Sequence, residues 1–199
     1  MRDVIADKIG TRTTYRVIAA SLLDEGTGTH SSEGLTPAAV LVPIVDRPDG
    51  MTMLLTRRTD HLHDHAGQIC FPGGRVEPDD DDAIDTALRE TEEEIGLDRR
   101  HIDVIGRLDT CVTGTGFAVV PVVGLIAPGF TLTLDAFEVA EAFEVPLSFL
   151  LDPSNHQRRS LVHEERRRHF YAVPYHDRYI WGATARMLVN LHEILSEQC

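Results

Sequence analysis

Residues 54–97 read LLTRRTDHLHDHAGQICFPGGRVEPDDDDAIDTALRETEEEIGL, and this stretch decides the fold. Placed at 100° per residue, its second half shows a largely apolar stripe, which predicts a helix with one buried face. The stripe consists of Ile84, Ala87, Leu88, Thr91 and Ile95. Beside the stripe, Glu90, Glu93 and Glu94 fall within an arc of about 100°, so the buried face has an acidic edge.

Three carboxylates so close together on a helix are unfavourable unless a cation binds them. Like charges three or four residues apart destabilise a helix by about 0.2–0.5 kcal/mol per pair. Glutamate oxygens select hard ions, and Mg²⁺ typically binds carboxylates together with phosphate oxygens of a substrate. We therefore predict that Glu90, Glu93 and Glu94 bind Mg²⁺ or Mn²⁺ and that the substrate carries phosphate. The alternative is a solvated acidic face, which is the usual role of a glutamate run.

The residues around the acidic helix favour the metal site over the solvated face. The sequence Phe71-Pro72-Gly73-Gly74 precedes the helix, and Arg89 stands immediately before the three glutamates. Gly96 stands where a helix needs a left-handed stop. One aspartate of the run Asp79–Asp82 is expected to cap the start of the helix. A plain surface helix does not need all of these features together.

These residues resemble the signature of the Nudix hydrolases, G-x5-E-x7-R-E-U-x-E-E-x-G-U, in which U is aliphatic. The second half of the signature matches residues 89–97, with Thr91 at an aliphatic position. In the first half, Asp80 stands where the signature has glutamate after Gly74, and one extra residue separates Asp80 from Arg89. The resemblance implies an α/β fold, the Nudix α/β/α sandwich with a mixed sheet, and hydrolysis of a pyrophosphate bond.

The stretch before the helix resembles one branch of that family, the coenzyme A pyrophosphatases, whose further signature reads approximately L-L-T-x-R-[SA]-x3-R-x3-G-x3-F-P-G-G. The matching residues are Leu54, Leu55, Thr56, Arg58, Gly67, Phe71, Pro72, Gly73 and Gly74. Thr59 replaces the small residue, and His63 replaces an arginine. The resemblance implies that coenzyme A or its thioesters are hydrolysed to adenosine 3′,5′-bisphosphate and 4′-phosphopantetheine.

Two other functions remain open from the sequence. Hydrolysis of ADP-ribose, NADH or another nucleotide is favoured by the loss of a guanidinium at position 63, because histidine lacks its permanent charge and its fork for phosphate. A Nudix-fold module that binds a nucleotide without catalysis is the second. The retained glutamates argue against a module of this kind.

The resemblance also implies a role for each candidate residue of the helix. Glu90 and Glu94, one turn apart, are the expected ligands of the principal Mg²⁺ or Mn²⁺, and Glu93 is expected to be a further ligand or the general base. Arg89 is expected to orient these carboxylates through charge-assisted hydrogen bonds. An acidic segment farther along the chain supplies other candidates for the base, namely Glu138, Glu141 and Glu144.

The substrate-binding residues are expected in the stretch before the helix, and they are Arg57, Arg58, His63, Gly73 and Gly74. The two glycines would let the backbone pass close to the metal and the phosphates. His63 belongs to a set of alternating histidines with His61 and His65. Zinc sites use other ligand spacings, so we interpret this set as a loop near the substrate.

Composition excludes several classes of protein. The chain has 199 residues, a net charge of −13 and only three cysteines, which fits one globular domain without a disulfide framework, in a reducing cytoplasm. The charge argues against nucleic-acid binding. No signal peptide or membrane span is readable. The expected partner is a small-molecule nucleotide, and a homodimer is left open.

The remaining elements are predicted from apolar patterns. We expect a core of about residues 36–150, an N-terminal helical extension over 1–35 with a helix at 14–24, and a C-terminal strand and helix over 151–199. Strands are expected at 38–45, 51–56, 103–109, 117–126 and 170–175, and the closing helix at 180–195 with Trp181 as a core anchor. Five arginines between 156 and 169 either receive a further phosphate of the nucleotide or belong to a solvated hairpin, which is favoured.

Overall fold

The computed structural model describes residues 1–23, 34–62, 65–163 and 166–197. Within these ranges the chain forms four α-helices, which are α1 (Arg2–Gly10), α2 (Ala83–Ile95), α3 (Leu147–Leu150) and α4 (Gly182–Ser196). Single 3₁₀ turns lie at Arg99–His101 and Pro153–Asn155. No helix in the described ranges has the length and apolar character that crossing a bilayer requires.

Thirteen strands are described, and they are numbered in chain order. They are β1 (Val17–Ala19), β2 (Ser21–Leu23), β3 (Thr36–Val45), β4 (Thr52–Arg58), β5 (Ile69–Cys70), β6 (Gly73–Arg75), β7 (Ile102–Arg107), β8 (Thr110–Val112), β9 (Phe117–Ile126), β10 (Val139–Pro146), β11 (Gln157–His163), β12 (Arg166–Tyr175) and β13 (Arg178–Trp181).

Nine strands form one large mixed sheet, in the order β1-β8-β9-β3-β4-β10. Strands β5, β6 and β7 add to it by pairing with β4, β3 and β9. β3 lies in the middle, parallel to β9 over its whole length and antiparallel to β6 and to the start of β4. This sheet confirms the predicted α/β class.

The central strand β3 has apolar side chains on both faces, because both faces are covered. Ala39 and Leu41 pack with Ala87 of α2 on one face. Val42 and Ile44 belong to the large core on the other face, which α1, α3, α4 and part of the second sheet share. This alternation follows the period of two of a strand, and it gives the layered α/β/α arrangement.

The second sheet has the order β11-β12-β13, with β2 paired to β12. Its β11–β12 hairpin contains the arginine-rich segment, in which Arg158, Arg159 and Arg167 are exposed and Arg168 is half-buried. Its strands β12 and β13 contribute Val173 and Ile180 to the large core.

A buried carboxylate joins the N-terminal segment to α4. Asp109 is buried and accepts hydrogen bonds from Arg12 Nη2 at 2.6 Å, the backbone N–H of Arg16 at 2.9 Å and Asn190 Nδ2 at 3.0 Å. Its own backbone N–H donates to Asn190 Oδ1 at 3.1 Å. Burial opposes ionisation, but these hydrogen bonds outweigh it and lower the pKa of Asp109 to about 2.

The predicted helix at 14–24 is wrong. The described part of that segment forms β1 and β2, whereas the N-terminal helix is α1, nearer the start of the chain. Short apolar runs do not distinguish a helix from a strand by periodicity alone. Here the pairing of β1 with β8 and of β2 with β12 decides in favour of strands.

The closing helix begins later than predicted, at Gly182, because Ile180 and Trp181 belong to β13. Trp181 is therefore not a core anchor, and 37% of its surface is exposed. The predicted buried stripe of α2 is also wrong at Ile84, which is 38% exposed. Thr86, which was not part of the predicted stripe, is buried. The strands predicted around β3, β4, β7, β9 and β12 are confirmed within a few residues.

Candidate active site

Helix α2 places the three candidate glutamates, Glu90, Glu93 and Glu94, in different surroundings. Its start is capped by Asp82, whose side chain accepts hydrogen bonds from the backbone N–H groups of Ile84 and Asp85, and it ends at Gly96 in the left-handed conformation. Both features were predicted. Glu94 is 5% exposed, Glu90 is half-buried, and the side chain of Glu93 is 60% exposed.

Glu94 is the most buried of the three candidate glutamates. Its Oε2 accepts a hydrogen bond from the backbone N–H of Gly73 at 3.1 Å, and its Oε1 lies 3.6 Å from Arg58 Nη1. Burial raises the pKa of Glu94 to about 8, and the hydrogen bond and Arg58 only partly oppose this effect. A buried carboxylate that is difficult to ionise is typical of functional sites.

Glu90 lies directly against the Gly73-Gly74 backbone. A Cβ atom on Gly74 would overlap the carboxylate of Glu90, and one on Gly73, where φ is 150°, would overlap the carbonyl oxygen of Ala39. Burial raises the pKa of Glu90, and the charges of Glu93 and Glu138 add to the effect. The glycines therefore allow a close approach of the backbone to the Glu90 carboxylate. Their predicted approach to a metal and to phosphates stays a prediction.

Arg89 organises the exposed side of this cluster. Its Nη1 donates to Glu90 Oε1 at 3.0 Å and to Glu93 Oε2 at 3.1 Å. These are the charge-assisted hydrogen bonds through which Arg89 is predicted to orient the carboxylates. Its Nε and Nη2 donate to the two oxygens of Asp80 at 2.8 and 2.9 Å, and Nη2 also donates to the carbonyl oxygen of Arg75 at 3.1 Å.

Sequence reasoning did not include Asp80 among the site residues. Its side chain is 2% exposed, and the hydrogen bonds from Arg89 lower its pKa well below the usual range. The available signal was its position six residues after Gly74, where the signature G-x5-E has glutamate. The extra residue before Arg89 does not disturb the ion pair.

Arg58 bridges two acidic residues from different parts of the chain. Besides Glu94, its guanidinium contacts Glu138, with Nη2 at 3.8 Å from Oε2. The charge of Glu138 also raises the pKa of both Glu90 and Glu94, so the three carboxylates are neighbours. Arg58 Nε is buried and has no hydrogen-bond partner among the described residues.

The two other candidates for the base have other partners. Glu141 accepts hydrogen bonds from Arg178 Nη1 and Nη2 at 2.9 and 2.6 Å. Glu144 accepts hydrogen bonds from Arg47 and from Thr52 Oγ1, the latter at 2.5 Å. Among the three glutamates of this acidic segment, the structure brings Glu138 to α2.

Arg57 lies near Glu141, whereas Arg58 lies near Glu94. Successive side chains of a strand point to opposite faces of the sheet, and Arg57 Nε lies 3.6 Å from Glu141 Oε2. Arg57 lines a cleft of about 590 Å³ together with Arg178, Tyr179 and Trp181. The remaining candidate, His63, lies outside the described residues.

The carboxylates suit a hard divalent cation in their chemistry. Glu90 and Glu94 offer oxygen donors only, and their raised pKa values reflect a cost of burial and repulsion that a bound cation would relieve. In the parts of the chain described, no group of three His, Cys, Asp or Glu side chains has an arrangement that could hold a metal ion. The guanidinium groups of Arg58 and Arg89 lie among these carboxylates instead.

The chain is similar to a known family of proteins. The family model for the NUDIX domain matches residues 35–164. "Uncharacterized Nudix hydrolase NudL" of Yersinia pestis (strain Pestoides F) is 41% identical over 159 residues, which are 80% of this chain and 79% of that protein. The protein of the same name from Yersinia pseudotuberculosis serotype O:1b (strain IP 31758) gives the same values. A solved structure of a C. elegans Ap4A hydrolase binary complex covers 56% of this chain and 80% of its own, with a TM-score of 0.47 and 20% identity.

Proposed function

This chain belongs to the Nudix hydrolase family, and we propose that the nucleoside diphosphate derivative it hydrolyses at the pyrophosphate bond is coenzyme A or one of its thioesters. The products would be adenosine 3′,5′-bisphosphate and 4′-phosphopantetheine. The proposal has two parts, the catalytic groups and the identity of the substrate, and different observations support them.

The position of Glu94 carries the proposal. This buried carboxylate lies between Arg58 and the backbone N–H of Gly73. Both residues belong to the L-L-T-x-R and F-P-G-G parts of the coenzyme A pyrophosphatase signature. The residues of that signature thus form the wall of the acidic cluster on α2, which supports a common function.

The chain's own residues have the following proposed roles. Glu90 and Glu94 would hold Mg²⁺ or Mn²⁺, with Glu93 as a further ligand or as the base. When bound, the metal supplies charge neutralisation at the phosphates and a lower pKa of bound water. Arg89 holds Glu90 and Glu93 in place and is itself held by Asp80.

Arg58 and Gly73-Gly74 would bind the substrate at the cluster. A guanidinium can donate two parallel hydrogen bonds to two oxygens of one phosphate. The buried Nε of Arg58 lacks a partner in the described structure. Arg57 and His63 were also predicted to bind substrate. Since Arg57 lies on the other face of its strand, it would reach only a distal part of a long substrate.

A nucleotide other than coenzyme A is the second candidate substrate, because of the residue at position 63. His63 replaces an arginine of the coenzyme A branch, so ADP-ribose or NADH is the second candidate. A binding module without catalysis is less favoured, because Glu90, Glu93 and Glu94 are all present.

A substrate panel tests the proposal directly. The full chain is incubated with Mg²⁺ or Mn²⁺ and coenzyme A, acetyl-coenzyme A, ADP-ribose or NADH, and the products are identified by chromatography and mass spectrometry. We expect the highest kcat/KM for coenzyme A or its thioester and no turnover with a chelator. A higher value for ADP-ribose or NADH would replace the substrate assignment, and no turnover of any compound would favour the binding module.

A further inference from the structure

Two arginines at the turn between β8 and β9 lack acidic partners, namely Arg75 and Arg168. Elsewhere in the structure the arginines are usually paired with carboxylates, as expected for a chain with a net charge of −13. Arg75 and Arg168 have no carboxylate within salt-bridge distance among residues 1–23, 34–62, 65–163 and 166–197. Arg107, Arg158 and Arg159 also have no carboxylate partner in these ranges, but they are exposed to solvent. Arg168 differs from them because its Nε is buried without a hydrogen-bond partner, which indicates a place for an anion.

Arg75 is the last residue of β6 and is exposed. Its Cζ lies 5.3 Å from the ring centroid of Phe117, so the guanidinium is attracted to the ring while its N–H groups are left for other acceptors. The neighbouring Gly74 lies against the carboxylate of Glu90. The carbonyl oxygen of Arg75 accepts a hydrogen bond from Arg89. Arg75 is thus one residue away from the catalytic cluster.

Arg168 approaches the same turn from the second sheet. It belongs to the interior of β12, which pairs with β11 and β2 at this point, so its backbone is fixed on both sides. A Cβ atom on Gly114 would lie 3.7 Å from Arg168 Nη1. Arg168 Nε is buried and has no hydrogen-bond partner in the described structure, which is a cost that a bound anion can relieve.

The turn between these two arginines carries hydroxyl groups. Thr113 Oγ1 lies 3.0 Å from Thr115 Oγ1 and accepts a hydrogen bond from the backbone N–H of Phe117 at 3.0 Å. The turn is closed by a hydrogen bond from Gly116 N–H to the carbonyl oxygen of Thr113 at 3.2 Å. Guanidinium and hydroxyl donors on a fixed turn are suited to a phosphate monoester.

We propose that Arg75 and Arg168, on either side of the Thr113–Phe117 turn, bind a phosphate monoester that the substrate carries in addition to the diphosphate that is cleaved. The site selects nucleotides with such a group, for example a ribose 3′-phosphate, over those without it. This inference rests on the proposed function and adds a reason for its substrate preference that does not depend on position 63.

Coenzyme A and dephospho-coenzyme A test this site, because they differ only by the 3′-phosphate. We expect the wild-type chain to show a kcat/KM at least about tenfold higher for coenzyme A, which is the effect of a single hydrogen-bonded charge pair. Arg75→Gln and Arg168→Gln should each lower the ratio of the two kcat/KM values by about tenfold. Arg158→Gln, which removes the same charge from an exposed position of β11, should leave the ratio unchanged.

Binding is measured separately so that the test does not depend on turnover. Isothermal titration compares adenosine 3′,5′-bisphosphate with adenosine 5′-monophosphate, and the wild-type chain should bind the bisphosphate more tightly. Equal affinities, or a ratio of kcat/KM values that neither arginine variant changes, would overturn the proposal. If the wild-type chain hydrolyses neither coenzyme while the bisphosphate preference is present and depends on Arg75, the proposed function fails and the phosphate site stands. If Arg168→Gln does not fold, Arg75→Gln decides alone.

Discussion

Arg89 holds both carboxylate oxygens of Asp80, with Nε at 2.8 Å from Oδ1 and Nη2 at 2.9 Å from Oδ2. The same guanidinium donates through Nη1 to Glu90 and Glu93. Asp80 therefore fixes the orientation of the arginine that in turn fixes two of the candidate catalytic carboxylates. A bidentate pair of this kind adds geometric specificity as well as energy.

Replacement of Asp80 tests this arrangement. Asp80→Asn removes the charge that holds Arg89, and we expect kcat to fall by about tenfold or more because Glu90 and Glu93 are no longer held in one geometry. Asp79→Asn changes an exposed neighbour in the same run and should have the wild-type kcat. Steady-state kinetics with saturating metal measures both. Equal kcat values for the two variants would contradict a positioning role for Asp80.

Replacement of Glu94 tests the catalytic assignment. Glu94→Gln keeps the size of the side chain and its acceptor for Gly73 N–H, but it removes the negative charge, so we expect turnover to fall about a hundredfold or more. The fold should persist, because a neutral amide avoids the cost of a buried charge. Thermal unfolding and kcat are compared with those of Glu92→Gln, a change at an exposed position of the same helix. Near-normal activity of Glu94→Gln would rule out the assignment.

Addition of one methyl group at Gly74 tests the approach of the backbone to Glu90. The Cβ of Gly74→Ala would overlap the Glu90 carboxylate, which is the flexible end of a side chain, so it should displace that carboxylate and leave the stability nearly unchanged. We expect a small change in Tm and a large loss of kcat.

A double-mutant cycle with Glu90→Gln distinguishes this mechanism from general damage to the site. If Gly74→Ala acts through Glu90, the double variant should be little worse than Glu90→Gln alone. Additive losses would show that the methyl group acts elsewhere.

The sequence predicts much of the site because its residues lie close together along the chain. Glu90, Glu94 and Arg89 belong to one helix, and Gly73 and Gly74 lie on the short strand that precedes it. Spacing and helical geometry therefore place them together, and the family resemblance implies their roles. Glu138 is different. It comes from a segment more than forty residues later, and only the antiparallel pairing of β10 with β4 brings it near Arg58.

Errors of prediction arose where tertiary contacts override local pattern. The segment around Val17 forms strands because two other strands pair with it, which no local periodicity records. Arg57 and Arg58 are both predicted to bind substrate, but a strand sends their side chains to opposite faces, so they would contact different parts of it. Trp181 was expected in the core, since large aromatic residues usually are buried. Its actual place is the wall of an open cleft.

Comparison of three acidic residues in one segment tests the choice of base. Glu138 lies at the acidic cluster, whereas Glu144 is held by Arg47 and Thr52 away from it. If Glu138 serves as the base, Glu138→Gln should lower kcat by about a hundredfold, and Glu144→Gln and Glu141→Gln should have kcat values near wild type. A full kcat for Glu138→Gln would leave Glu93, on α2, as the candidate.

The pH dependence of stability tests the contribution of Asp109, a buried carboxylate outside the candidate active site. The pKa of Asp109 is lowered to about 2, so the folded state favours its charged form more than the unfolded state does. The stability that it contributes is complete above the ordinary carboxyl pKa near 4 and is lost as the pH falls toward 2. Asp109→Asn leaves Arg12 without its partner, and we expect the free energy of unfolding at pH 7 to fall by about 3 kcal/mol. Urea unfolding between pH 7 and pH 2 measures this, and the variant should lose less stability than wild type below pH 4. Parallel curves for the two proteins over that interval would show that Asp109 does not carry the effect.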